Sequence, residues 1–170
     1  LSAFSPDGSR VAFTRGSPST SDLYLVGSDG AGETRLTELD GYEHSPTWSA
    51  DGSRIAFVWG HDEAKGFGET GALWAIDPDG SNRAMLLDAR VGYPAWSPDG
   101  TRIALELRDD DHIGVLDLTT AAVTDLGAGY VPKWSPDGTR IAFIRATGDA
   151  LDIYVMRADG ADVVQLTDDP

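Results

Sequence analysis

A twelve-residue phrase recurs four times along the chain, and this repetition limits the folds open to it more than any other feature. Pro132-Lys133-Trp134-Ser135-Pro136-Asp137-Gly138-Thr139-Arg140-Ile141-Ala142-Phe143 is matched by residues 94–105 and 46–57. Residues 2–13 are a fourth copy, with Ser2 in place of the proline and Phe4 in place of the tryptophan. The aromatic positions Phe4, Trp48, Trp96 and Trp134 stand 44, 48 and 38 residues apart. Self-similarity at such a period signals an array of small units, each unable to bury its apolar surface alone.

Each unit predicts four strands. In the last one, residues 131–135 form strand a and Ser135-Pro136-Asp137-Gly138 a turn. Residues 140–144 form strand b, 146–150 a loop and 152–156 strand c. A second turn follows at Asp159-Gly160, then strand d at 163–167. The turn residues have separate physical jobs: proline presets φ, aspartate bonds nearby amides and glycine accepts positive φ. The other units follow the same order, except that the third has Thr119-Thr120 in place of Asp-Gly. Helix-period stretches are absent, and Gly and Pro punctuate the chain too often for them. Ile141, Ala142, Phe143 and Ile144 are consecutive apolar residues, so strand b needs cover on both faces. A neighbouring unit on each side supplies it. The expected fold is therefore all-β, a β-propeller of four four-stranded antiparallel blades. The mid-strand alanines Ala12, Ala56, Ala104 and Ala142 let adjacent blades approach closely.

At 170 residues the chain is a single domain spanning 1–170, with blades at approximately 1–41, 42–91, 92–129 and 130–170. A net charge of −15 with only two lysines, Lys65 and Lys133, argues against nucleic acid and anionic membrane surfaces. No apolar run reaches membrane-spanning length, so membrane insertion is not expected. With no cysteine, disulfides and thiolate metal sites are excluded.

The phrase Pro-x-Trp-Ser-Pro-Asp-Gly-x-Arg-Ile-Ala-Phe, followed by Asp152-Ile153-Tyr154, Asp159-Gly160 and Leu166-Thr167, resembles the TolB-type propeller repeat. Asp22-Leu23-Tyr24 and Leu36-Thr37 repeat the pattern in the first unit. The resemblance covers nearly the whole chain. It implies the fold and a periplasmic or extracellular location. It leaves function open, because similar repeats occur in periplasmic TolB, in substrate-gating propellers of prolyl-oligopeptidase-like enzymes and in tricorn-like proteases. No catalytic residue carries over, since none maps onto a matching position. Propellers resembling TolB usually have more blades. The chain therefore closes as a small ring, is completed by a second copy, or is part of a longer chain. Its opening inside a strand motif favours the last two, and a homodimer is the expectation for the chain alone.

Meander geometry places the a–b and c–d turns at one end and the b–c and d–a connections at the other. The first set is uniform and structural. The second varies, and binding usually resides on variable loops. It carries Tyr42, Glu43 and His44; His61, Asp62 and Glu63 in the longest insertion; Tyr93; Asp109, Asp110, Asp111 and His112; and Tyr130, with Lys133 nearby in strand a. Three readings of this group stay open. They are solvated loop charge, a mouth ringed by Tyr42, Tyr93 and Tyr130 that binds a protein or peptide, and a metal site using His44, His61 and His112. No ligand-spacing motif supports the metal, so no metal or other cofactor is expected. Nucleophile elbows, His-Glu-x-x-His and phosphate loops are also missing. A non-catalytic binding scaffold is expected. The alternative is the gating propeller of a larger hydrolase.

Overall fold

The computed structural model describes residues 1–17, 20–60, 71–148 and 150–168. Every regular element among them is a strand, fifteen in all. The first unit contains β1 (Ser2–Phe4), β2 (Arg10–Ser17), β3 (Thr20–Gly27) and β4 (Thr34–Arg35). The second contains β5 (Tyr42–Trp48), β6 (Ile55–Gly60), β7 (Gly71–Ile76) and the first half of β8 (Ala84–Trp96). The second half of β8 opens the third unit, which continues through β9 (Arg102–Leu107), β10 (His112–Asp117) and β11 (Val123–Ala128). The fourth contains β12 (Tyr130–Trp134), β13 (Arg140–Thr147), β14 (Ala150–Arg157) and β15 (Val164–Gln165). Each unit is an antiparallel meander. This is the all-β propeller architecture expected from the repeat.

Two strand lengths differ from the sequence reading. Strands b and c of the first and fourth units run to eight residues, because their ladders continue to Ser17↔Thr20 and Thr147↔Ala150. The stretch expected as a loop at 146–150 is therefore largely hairpin. The outer strands β4 and β15 shrink to two residues. A strand on the rim of a blade has a partner on one side only, and shortening limits its exposed edge.

The Ser-Pro-Asp-Gly turns are alike down to their hydrogen bonds. Ser97 Oγ donates to Asp99 Oδ1 at 2.6 Å and accepts from the Arg102 amide at 2.9 Å. Asp99 Oδ1 also accepts from the Thr101 amide at 3.0 Å and its hydroxyl at 2.8 Å. Gly100, at φ 72°, donates to the Ser97 carbonyl. These donors, led by the serine hydroxyl, hold Asp7, Asp51, Asp99 and Asp137 at a pKa of about 2. The motif is a self-contained turn, with its polar groups turned inward on itself. Ser97→Ala is expected to cost about 1–3 kcal/mol, since Ser97 is fully buried and the Arg102 amide loses its acceptor. Ser135→Ala breaks the same bonds at a wetter site, so a smaller loss is expected. Urea denaturation of the two variants checks this, and equal losses would contradict it.

Three apolar clusters lie between successive units. Ala12, Leu23 and Leu25 pack against Ile55, Phe57 and Ile76. Ala56, Val58, Leu73 and Ala75 pack against Ile103, Leu105 and Leu116. Ala104, Ile113 and Val115 pack against Ile141, Phe143, Tyr154 and Met156. Each of the first three units thus presents its alanine-bearing face to the next. Ala12, Ala56 and Ala104 are fully buried, which is why a larger side chain does not fit there. Two strand-a tryptophans also bridge units: Trp48 Nε1 donates to the Ala3 carbonyl at 3.1 Å and Trp134 Nε1 to that of Ala95 at 3.0 Å. Trp96 instead bonds the Gly100 carbonyl of its own turn.

Candidate functional site

The inner strands share an irregularity at one end. Three residues before the tryptophan, Ser45, Tyr93 and Val131 adopt φ of 52°, 46° and 52°. The ladder to the following strand shifts register at each place. Pro46, Pro94 and Pro132 come next, and a proline cannot donate to the ladder, so a bulge forms there. Positive φ in a tyrosine and a β-branched valine costs about 1–3 kcal/mol each. The bulges turn the strand ends toward the b–c and d–a connections, which backbone bonds stitch together. Ser21 N donates to the Gly41 carbonyl, Arg108 N to that of Arg90 and Gly129 N to that of Asp111. Tyr42, Tyr93 and Tyr130, from three successive units, stand half-buried at this rim.

The tyrosines are not equivalent in the repeat, and each has its own neighbour. Tyr42 stacks on His44, with ring centroids 5.6 Å apart. Arg108 lies over the Tyr93 ring at 5.3 Å and pairs with the buried Glu106 at 2.9 Å. Tyr130 is raised in pKa, chiefly by burial and then by the charge and hydrogen bond of Asp111.

His44 is buried, with Nδ1 3.1 Å from Ser45 Oγ and Nε2 without a partner. Burial first, then the charge of Arg108, lowers its pKa to about 4. A base that protonates only near there is a poor proton acceptor at neutral pH, so the Ser45–His44 contact does not read as an activated nucleophile. Glu43 is fully buried, and its pKa is pushed up to about 8 by desolvation and by the charge of Asp22.

The acidic loop is already engaged. Asp109 pairs with Arg90 at 2.8 Å, and His112 Nδ1 lies 2.9 Å from Asp125. Asp110 is exposed. Lys133 is exposed and pairs across the ladder with Ala142 in the fourth blade, and desolvation lowers its pKa. His61, Asp62 and Glu63 lie outside the described residues. Among those described, no three His, Asp or Glu side chains converge as a metal site. Sequence reasoning passed over Glu106, Arg108 and Arg90. The readable signal was Glu106 itself, a charge between Leu105 and Leu107 in a strand otherwise apolar on both faces.

The profile of the TolB beta propeller domain matches residues 53–170. Among curated proteins, the Tol-Pal system protein TolB of Anaeromyxobacter dehalogenans is 47% identical over 45 residues, 26% of this chain and 10% of that protein. Dipeptidyl-peptidase 5 of Porphyromonas gingivalis is 37% identical over 62 residues, 33% of this chain and 9% of that one. The matching stretches thus span about a tenth of these relatives' own length. A solved structure described as putative TolB from Agrobacterium tumefaciens superposes with a TM-score of 0.80 at 23% identity, covering 96% of this chain and 63% of that one. With the profile matched over more than half its length, the chain belongs to the TolB β-propeller family.

Proposed function

We propose that the chain is a non-catalytic recognition module that binds a segment of another protein across the rim. The observation behind this is the row of half-buried tyrosines, Tyr42, Tyr93 and Tyr130, from three successive units at one end. Half-exposed aromatic rings held by rigid strands are the side chains that most often anchor protein interfaces. The strained bulges and the buried, poorly solvated Glu43 and His44 beneath the rim lend further support, since such departures from stability concentrate at working sites. The TolB relatives are named for the Tol-Pal system, which favours a protein partner and a periplasmic or extracellular setting. The likeness to a dipeptidyl-peptidase supports a second reading, the gating propeller of a larger hydrolase.

A displayed random-peptide library panned on the chain tests the first reading. Selected peptides are expected to lose about tenfold or more in affinity on Tyr93→Ala and Tyr130→Ala. The turn-face variant Pro98→Ala should bind as the wild type does. Binding indifferent to both tyrosines removes the rim from consideration. Turnover of a peptide or ester substrate that disappears in His44→Ala overturns the non-catalytic reading.

A further inference from the structure

The boundary between the second and third units departs from its neighbours at three linked positions. The turns of the first, third and fourth units carry Pro6, Pro98 and Pro136 after the serine, whereas the second carries Ala50. Pro6 packs over Gly52 of the following turn and Pro98 over Gly138, each ring 3.6 Å from where a β-carbon on that glycine would sit. Gly100, the glycine that faces Ala50 in this scheme, has no atom within 4 Å on that side. The indole differs as well. Trp48 and Trp134 each bond a carbonyl of the preceding unit, and Arg10 and Arg102 of that unit cover their rings at 5.2 and 4.7 Å. Trp96 bonds Gly100 of its own turn instead of the Thr47 carbonyl at the equivalent place. Arg54, the counterpart of Arg10 and Arg102, is drawn aside. Its Nη2 donates to the Asn82 carbonyl at 3.1 Å, and its Nε lies 3.5 Å from Asp77 Oδ1. No arginine among the described residues covers Trp96.

These departures meet in a groove of about 600 Å³ at the turn end of the propeller, opposite the rim. Trp96, Leu86 and Leu118 give it an apolar wall, and Asp51 and Asp99 an acidic edge. Arg54 also lines it, with its charge matched by Asp77. Both walls belong to inner units of the arc. The counterpart groove between the third and fourth units is lined by Arg102, Arg140 and Arg157, with no aromatic ring among its walls.

We propose that the groove between the second and third units receives a basic, proline-bearing segment of a partner protein, its proline ring beside Gly100 and its arginine over Trp96. The neighbouring boundaries fill those two places with a proline and an arginine of their own, and here the chain fills neither. A proline-held extended segment is already ordered, so it enters an aromatic-lined groove at little entropic cost. A guanidinium is attracted to the negative face of an indole. Asp51 and Asp99 favour a cation over an anion, and the net charge of −15 steers a basic segment toward the chain. The site is independent of the rim.

Proton–nitrogen correlation spectra of the chain, titrated with the blocked peptide Pro-Arg-Pro-Arg, test this. The Trp96 indole signal is assigned by its loss in Trp96→Phe. It is expected to move and saturate with a Kd of about 1 mM or tighter, while the Trp48 and Trp134 signals stay in place. Ala50→Pro gives the second turn the residue that the other three carry, so the fold is kept. It is expected to fill the place beside Gly100 and weaken binding about tenfold or more. The peptide Pro-Glu-Pro-Glu should not bind. A Trp96 signal unmoved at about 10 mM peptide would overturn the proposal. So would equal binding of the glutamate peptide, or unchanged affinity in Ala50→Pro. A Trp96 signal that shifts with protein concentration alone would give the groove to a second copy, and peptide binding lost in Tyr93→Ala would give the peptide to the rim; either result also overturns it.

Discussion

Phe57→Ala is expected to remove about 3–5 kcal/mol from the unfolding free energy, the largest effect of any single truncation considered for this chain. Phe57 is fully buried in the cluster between the first and second units, among Ala12, Leu23, Leu25, Ile55 and Ile76. The loss has two parts: the ring's transfer free energy and the cavity it leaves. Collapse into that cavity is restricted, because the opposing wall is a β-ladder held by backbone hydrogen bonds and faced by the smallest apolar side chain, Ala12. In a repeat architecture each unit leans on its neighbours, so a defect at one interface is felt by both. Leu151→Ala, at an exposed position of the fourth unit, is the comparison and should stay within about 0.5 kcal/mol. Urea denaturation of the two variants decides it. A loss below about 1 kcal/mol for Phe57→Ala would mean that the interface is loosely packed.

Glu43→Gln is expected to stabilise the protein at neutral pH and to do nothing at pH 4. In the folded chain Glu43 stays protonated up to about pH 8, against an ordinary 4.5. Across that window the unfolded chain has already released the proton, so it binds fewer protons than the folded one. Stability therefore falls as pH rises through the window. At pH 7 the accumulated penalty is about 3 kcal/mol, which glutamine avoids. His44 has the opposite sign. Its folded pKa of about 4 lies below the ordinary 6.5, so stability rises with pH between those values and is complete above the upper one. The two slopes offset one another below 6.5, and the Glu43 slope stands alone from there to about 8. Denaturation of wild type and Glu43→Gln across this range should give curves that converge in acid and part in base. Parallel curves would show that Glu43 is ionised where it sits.

Much of the architecture was legible from local chemistry. Ser-Pro-Asp-Gly is a turn whose donors and acceptors lie within six residues, so its structure needs no partner and its sequence announces it. The run Ile141-Ala142-Phe143-Ile144 required cover on both faces, and the repeat supplied the cover. The candidate rim was less legible. Asp109 and His112 read as available charges, yet each is paired, with Arg90 and Asp125, across 19 and 13 residues. Nothing local to either loop encodes those pairings.

By itself, then, the sequence determined the repeat, the strand order, the turns and the separation of the two loop ends, because each depends on neighbours in the chain. Only the tertiary structure decided which polar groups are already satisfied, and which carboxyl and imidazole are desolvated enough to change their titration. Those properties belong to surfaces assembled from strands far apart in sequence, where burial and a distant counter-charge outweigh anything written locally.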